Sequence, residues 1–593
     1  MRKPRFRFKK KKHKKLRIVA FLFVVLFFGS ACFLGYVYKS QKPFAKQIKS
    51  WVKDIIYTDK TPLPQYSEEI SLPGAEEKVL YVNNREQRSE KLDRNKDNKL
   101  LEYAGDVMRL IDFATGYYLD LPAGMTPDFS QSPNFSRMNS GFMDVVISRE
   151  RSPYEDVDEY IAYYLNRFIT NEEYRKNNSI ELLEDTTRQF GGNTVRLISV
   201  KVADMPEDKK ALYTFATINI GGREFFRFLF KAKADYVEMP QAVERALTSF
   251  TRIEKTGKPQ YDLEYSFQKP AVWSRETRKK FEEIQESKEL TWGIFTTQVH
   301  EDGIKRTIPE LESKLDFTFP VVLIYNHIGQ PISQDFLDLC EQQGRTIELT
   351  LQMTETNNED LLCRSPLLET YKGKYDDKIR NLARLLKEEI KTPFFFRLNN
   401  EMNTDWANYS GIINLSDPDI YIGCWRRVYE IFEEEQVDNA IWVFNPNDRN
   451  YPPCNWNNFL AYFPGEEYVH MIGVTGYNTG TYFKEVTGED WREFDEIYSE
   501  IDKAYSPFFK DYPWIITEFS SSSHGGDKAK WIDAMFQNIK KYPQIKVAVW
   551  FSAPDYDPRP GYEGKIGRPY MLDETPATLE AFKRGIHARS KPQ

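Results

Sequence analysis

From residue 291 onward, short apolar runs alternate with longer amphipathic stretches. The runs are "TWGIFTT" (291–297), "VVLIYNHI" (321–328), "TIELTLQM" (346–353), "PFFFRLNN" (393–400), "AIWVFNP" (440–446), "MIGVTGYN" (471–478), "WIITEFS" (514–520) and "KVAVWFS" (546–552). They are the length of buried strands and rich in β-branched and aromatic residues. Stretches such as "YDDKIRNLARLLKEEIK" and "PDIYIGCWRRVYEIFEEE" carry apolar residues at helical spacing between them. Eight strands separated by helices predict an α/β fold, a (β/α)8 (TIM) barrel over residues 275–590. A doubly wound open sheet is the alternative. It calls for a Gly-rich phosphate loop after an early strand, and the sequence has none.

Upstream, residues 101–256 read as a small α+β domain. "GYYLDLPAGM", "MDVVISRE", "NTVRLISVKV", "ALYTFATINI" and "EFFRFLFKAK" have strand character, and "VDEYIAYYLNRFI" and "PQAVERALTSF" have helical spacing. The order of these elements loosely resembles the PsbP/Mog1-like domains of exported proteins. No catalytic constellation occurs there, so a binding or spacer role is expected. Residues 39–100 are charged and poor in apolar runs, and read as a tether. "EKTGKPQYDLEYSFQKPAVWS" reads as a second linker.

The charge is unevenly divided. Residues 1–17 hold eleven of the 82 Lys/Arg and no acid, which leaves 71 basic against 88 acidic residues, a net of −17, for the rest. A body this acidic excludes nucleic acid as a partner, because neutralising phosphates needs a basic face. The basic head precedes 21 uncharged residues, 18–38, long enough to cross a bilayer as a helix. By the positive-inside rule the head is cytoplasmic and the body extracellular. The expectation is a single-pass signal anchor in the cell membrane. Of five cysteines, Cys32 falls in that span. Cys424 and Cys454 either pair or stay as buried thiols. No CxxC or Cys/His cluster marks a metal site, and no metal or cofactor is expected.

In a barrel of this kind, catalytic groups sit at the C-terminal ends of the strands. The fourth strand ends in Arg397, Asn399, Asn400 and Glu401, the sixth in Tyr477 and Asn478, and the seventh in Glu518, while the eighth carries Trp550. Glutamates on the fourth and seventh strands face each other across the barrel mouth. Two carboxyls so placed suit glycoside hydrolysis, in which one protonates the departing oxygen and the other attacks the anomeric carbon or activates water. Trp442 and Asn445, on the fifth strand, either bind sugar or, for Trp442, belong to the core. His327 and His524 either line the cleft or serve as structural hydrogen-bonders.

"FRLNNEMNTDW", "AIWVFNPND", "YFPGEEYVHMIGVTGYNTG" and "WIITEFS", in this order over roughly 285–585, resemble glycoside hydrolase family 26, within the clan of retaining (β/α)8 glycosidases. The resemblance implies that Glu401 is the acid/base and Glu518 the nucleophile. It implies that Tyr477 hydrogen-bonds the nucleophile, that Arg397 lies beside it, and that Trp406 and Trp550 are platforms for sugar rings. Retention implies carboxyl groups about 5–5.5 Å apart. There are two departures from the family pattern. Asn400 stands where the family has His before the acid/base, as in the wider clan, where an Asn there hydrogen-bonds the sugar 2-hydroxyl. Thr404 stands where a glycine is usual. The departures shift weight from β-1,4-mannan toward β-1,4-glucan, mixed-linkage glucan or an exopolysaccharide.

The function expected is therefore a membrane-anchored, extracellular, endo-acting β-glycanase whose barrel works as a soluble 260–593 fragment. The competing reading is a barrel that binds polysaccharide without cutting it, among proteins of exopolysaccharide synthesis or export.

Overall fold

The computed structural model describes residues 62–82, 85–87, 98–259, 263–355 and 359–588. The basic head, the 18–38 span and the first part of the tether lie outside the described residues. Among the described residues no helix is long and apolar enough to cross a membrane.

Eight parallel strands close into a barrel: β1 (Thr291–Thr296), β2 (Val321–His327), β3 (Thr346–Gln352), β4 (Phe394–Leu398), β5 (Ala440–Phe444), β6 (Met471–Thr475), β7 (Trp514–Phe519) and β8 (Ile545–Ser552). Each pairs with the next, and β8 returns to β1 through Thr291 opposite Val547. Every strand falls within two or three residues of its run in the sequence. Helix α1 (Pro418–Glu434) follows β4 and starts at Asp417, whose side chain accepts a hydrogen bond from the Asp419 amide.

Side chains alternate between two environments along each strand. Phe395, Ile441, Val443, Ile515, Val547 and Val549 meet inside the barrel. Phe394, Phe396, Trp442 and Trp550 point the other way, into the layer between strands and helices. The helix Arg275–Glu286 closes the barrel floor, where Trp273 and Phe281 join the interior cluster and the Trp273 indole donates to the Ala440 carbonyl at 2.9 Å. The stretch read as a second linker thus packs against the barrel. Phe267 lies against Phe281 at the floor, and the Tyr265 amide bonds the Phe508 carbonyl.

The upstream unit is two antiparallel sheets. One runs in the order 126–128, 135–139, 143–151, 224–232, 212–221, 193–202, 180–190; the other in the order 251–252, 117–122, 107–112, 98–104, 77–82, 85–87. The reading of 39–100 as tether is corrected from residue 77 on. Glu77–Val82 pairs with Asn98–Ala104, and Leu80 is buried with Leu100 and Ile111. The charged run between them masked these short strands. Helix Met239–Ser249 packs Ala242, Val243, Ala246 and Leu247 into the core between the sheets.

The seven-stranded sheet is covered on both faces at Glu224–Ala232, where every residue from Phe225 on is buried, Arg227 and Lys231 included. Phe226, Phe228 and Phe230 face the other sheet. Phe225 and Leu229 belong to an apolar cluster that continues through Tyr160 and Tyr213 into the barrel's helical layer. Polar contacts join the two units as well. Glu150 accepts from the Asn455 and Trp456 amides at 2.6 and 3.0 Å, and the Trp456 indole donates to the Tyr160 hydroxyl at 2.9 Å. Burial pushes the Glu150 carboxyl up to about 7.

This shared core bears on the expectation of a self-sufficient barrel fragment. A chain cut to begin at residue 263 exposes apolar surface on the barrel. It is expected to aggregate on size-exclusion chromatography and to bind anilinonaphthalene sulfonate, whereas the chain from residue 62 stays dispersed and does not bind the dye.

Candidate active site

The barrel's upper interior is polar from β3 round to β7. Arg397, on the inward face of β4, is fully buried. Its Nε donates to Thr350 Oγ1 of β3 at 2.7 Å, and its Nη1 donates to Asn445 Oδ1 after β5 at 2.8 Å and to Glu518 Oε1 of β7 at 2.7 Å. A desolvated guanidinium needs such partners, and here they fix the height of three strands around it.

Glu518 reaches the mouth because the ladder around it is irregular. Pairing shifts between Val474 and Thr475 on β6 and between Ile516 and Phe519 on β7. Ile515 below faces the interior and Phe519 above faces the helices. The interruption lets Thr517, bonded to Thr475, and Glu518 both turn inward. Four donors surround the Glu518 carboxylate. Arg397 and, at 3.4 Å, Asn400 Nδ2 meet Oε1. The Tyr325 hydroxyl at 2.6 Å and the Tyr477 hydroxyl at 2.9 Å meet Oε2. Burial, and then the nearby Glu518 charge, hold both phenols well above their ordinary pKa, so they stay hydrogen-bond donors.

Glu401 lies just past β4, in a loop that runs to Asp417. Its backbone is left-handed (φ 59°), as is that of Asn399 (φ 48°). Non-glycine residues hold this conformation only when their surroundings impose it. Here the Glu401 amide donates to the Asn445 carbonyl at 2.8 Å, and its own carbonyl accepts from the Thr404 hydroxyl at 2.7 Å and the Thr404 amide at 3.1 Å. The threonine that departs from the family pattern thus pins the turn. Asn447 Nδ2 donates to Glu401 Oε1 at 2.6 Å. Burial first, and the Glu518 charge second, push the Glu401 carboxyl up to about 8. The adjacent Asn400 is aimed by two donors to its Oδ1, Gln352 Nε2 at 3.3 Å and the Tyr409 hydroxyl at 3.1 Å, which leaves its Nδ2 toward Glu518.

The structure brings together Glu401, Glu518, Arg397, Asn400 and Tyr477. Trp406 stands at the rim, 43% exposed, with its ring 5.1 Å from that of Tyr451. The expected platform Trp550 is corrected, and of the two readings of Trp442 the structure takes the core one. Trp550 is fully buried among Phe519, Trp531 and Phe582, and Trp442 is buried among Trp425, Tyr429 and Phe432. Both sit one residue off the inward register, and on β8 the inward ring near Tyr477 is Phe551. Phe394 and Phe396 likewise pack outward, so they do not wall the Glu401 carboxyl. His327 is half-buried with burial lowering its pKa, and the His524 ring lies 5.1 Å from that of Tyr482, tilted against it. Cys340, Cys363, Cys424 and Cys454 are all free thiols. Among the described residues no group of His, Cys, Asp and Glu could hold a metal ion.

Three site residues escaped the sequence reading. Tyr325 lies in an apolar run whose inward face cannot be told from spacing alone. Asn447 follows its strand by three residues. Glu348, deep in β3, is fully buried 3.6 Å from Arg397, has no hydrogen-bond partner at either oxygen, and is pushed up by burial to about 8.

An eight-stranded parallel barrel with two unlike carboxyls at its C-terminal mouth is an arrangement that glycoside hydrolysis can use. Residues 342–503, which include β3 to β6, match the sequence model of glycosyl hydrolase family 26. Endoglucanase H of Acetivibrio thermocellus is 30% identical over 260 residues, 43% of this chain. The aligned part spans only 26% of that relative's length. Similar solved structures include a GH26 beta-mannanase from Bacteroides ovatus (16% identity, 54% of this chain and 94% of that one, TM-score 0.40). The YdhT protein from Bacillus subtilis is also similar (14% identity, 47% and 87%, TM-score 0.34).

The Asn447 hydrogen bond favours the ionised form of Glu401, so removing it raises that carboxyl's pKa further. Asn447→Ala is expected to move the Glu401 titration above about 8, as followed by carbon-13 NMR of glutamate-labelled protein. An unchanged or lowered value would show that the bond does not set the proton affinity.

Proposed function

We propose that this protein is a retaining β-glycoside hydrolase that cuts within β-1,4-linked polysaccharides by double displacement. One observation carries the reading: the two glutamates at the barrel mouth have opposite environments. Glu401, pushed up to about 8, carries a proton at neutral pH, while Glu518 is gripped by four donors that fit an acceptor-only carboxylate. In the first step a Glu518 oxygen attacks the anomeric carbon as Glu401 gives its proton to the departing glycosidic oxygen. In the second step the ionised Glu401 takes a proton from water, the water oxygen attacks the anomeric carbon, and the bond to Glu518 breaks.

Arg397, Tyr325 and Tyr477 hold the nucleophile's oxygens in place, and Asn400 Nδ2 sits where it can serve both Glu518 and a sugar hydroxyl. Trp406, beside Tyr451, offers an apolar face to a sugar ring. Glucan enters the substrate class on two grounds: Asn400 in place of the family's histidine, and a relative named Endoglucanase H. The family resemblance keeps β-1,4-mannan beside it. The uncharged 18–38 segment behind a basic head supports tethering to the cell membrane with the barrel outside.

The full chain in detergent, assayed against β-1,4-mannan, mixed-linkage β-glucan and xylan, is expected to release oligosaccharides from at least one. Glu401→Ala and Glu518→Ala should each lower that rate by about 10²–10⁴-fold. A wild-type chain that binds one of these polymers and cuts none would favour the non-catalytic barrel. Because Glu401 loses its proton as pH rises through about 8, kcat/KM should fall on that side. Tyr325→Phe removes one donor to the nucleophile without a change of shape, and is expected to lower kcat by about tenfold or more.

A further inference from the structure

The loop that carries Glu401 is held from outside the barrel. Between Asn399 and Asp417 it contains four left-handed non-glycine residues: Asn399, Glu401, Leu415 and Ser416. A segment with that much unfavourable backbone keeps its shape only if neighbours over-determine it. On the barrel side, Asn445 and Thr404 bond its first turn. Its far end is bonded by the upstream sheet unit. The Tyr174 hydroxyl donates to the Ile413 carbonyl, and Arg227 Nη2 donates to the Ser416 carbonyl at 2.6 Å. Lys231 Nζ donates to both Asp417 oxygens at 2.8 and 3.1 Å, and also meets Asp419. Arg137 Nη1 donates to Asp419 Oδ1 at 3.0 Å.

The side chains of Lys231 and Asp417 are each only 3% exposed. Ion pairs so thoroughly removed from water tolerate the loss of one partner poorly. The same unit also holds the segment that follows β5. Glu150 caps the Asn455 and Trp456 amides, and the Arg227 guanidinium lies 4.8 Å from the centre of the Trp456 ring. Asn457 Nδ2 in turn donates to the Asn403 carbonyl at 2.9 Å, two residues from Glu401. Asn403 accepts from the Asn447 amide at 2.8 Å, and Asn447 bonds the Glu401 carboxyl. Both approaches to Glu401 therefore lead back, through continuous hydrogen bonds or main chain, to the sheet unit.

We infer that the sheet unit is a positioning part of the active site, with Lys231 and Tyr174 as positioning residues that hold the 399–417 loop so that Glu401 faces Glu518. The inference rests on the assignment of Glu401 as the acid/base. It gives the upstream unit a role in the reaction rather than that of a spacer. The residues act through the loop, so their loss affects the chemical step more than substrate binding.

Hydrogen exchange followed by mass spectrometry in the full chain reads the positioning, and hydrolysis of the polysaccharide that the wild type cuts reads its consequence. Lys231→Ala is expected to speed exchange in peptides covering 399–417 by about tenfold or more, while β1 and β8 exchange as in the wild type. It should lower kcat by about ten- to a hundredfold with KM little changed. Lys231→Arg, which keeps the charge and the donors, should recover most of both. Tyr174→Phe removes one oxygen only, and should give the same pattern at smaller size even if the lysine variant does not fold. Wild-type exchange in 399–417 and wild-type kcat in a folded variant would overturn the inference. A wild-type chain that cuts no polysaccharide would instead count against the hydrolase reading, and the exchange measurement would still decide the positioning.

Discussion

The site depends on one buried charge. Arg397 sits inside a barrel whose lower interior is apolar, where its Nε is met by Thr350 and its Nη1 by Asn445 and Glu518. Those partners come from β3, the end of β5 and β7. A single guanidinium thereby ties three strands at one level and fixes where the Glu518 carboxylate stands. The phenols of Tyr325 and Tyr477 then complete the shell around the second oxygen. Burial first, and the nearby Glu518 charge second, push up the neighbouring Glu401 carboxyl, which accordingly keeps its proton. The two glutamates differ in their surroundings: Glu518 is held by Arg397 and three further donors, whereas Glu401 is buried with Asn447 as its side-chain donor.

That arrangement sets a demand on the loop after β4. Glu401 must leave the strand sharply, and it does so through left-handed residues that sequence preference does not support. Asparagine at 399 and threonine at 404 ease the turn locally. The rest of the constraint comes from the sheet unit, whose lysine, arginine and tyrosine bond the far end of the loop. Function and architecture meet here, since the buried Lys231–Asp417 pair that joins the two units also terminates the catalytic loop and starts α1.

Much of the barrel was legible because apolar runs separated by amphipathic helices give both the strand count and the boundaries. The strand-end polar residues Arg397, Asn400, Glu401, Tyr477 and Glu518 were legible for the same reason, since a charge at the end of a buried run has few places to go. What spacing does not reveal is which face a residue takes when a strand is apolar on both sides. The resemblance put Trp550 in the cleft and spacing left Trp442 open, and the period of two sends both to the helical layer. Tyr325 was hidden for the converse reason, as an inward residue in an unbroken apolar run. The docking of the sheet unit was not legible at all. Its contacts join residues more than 180 positions apart, and nothing local marks Lys231 as the partner of Asp417.

The central claim is that Glu518 forms the bond to the sugar while Glu401 moves the proton. Covalent trapping tests it most directly. The full chain is incubated with the 2,4-dinitrophenyl 2-deoxy-2-fluoro-β-glycosides of glucose-type and mannose-type oligosaccharides, digested, and sequenced by mass spectrometry. The account predicts a fluoroglycosyl adduct on Glu518 and none in Glu401-containing peptides. An adduct on Glu401, or an intact enzyme that turns over polysaccharide yet never carries a label, would contradict it.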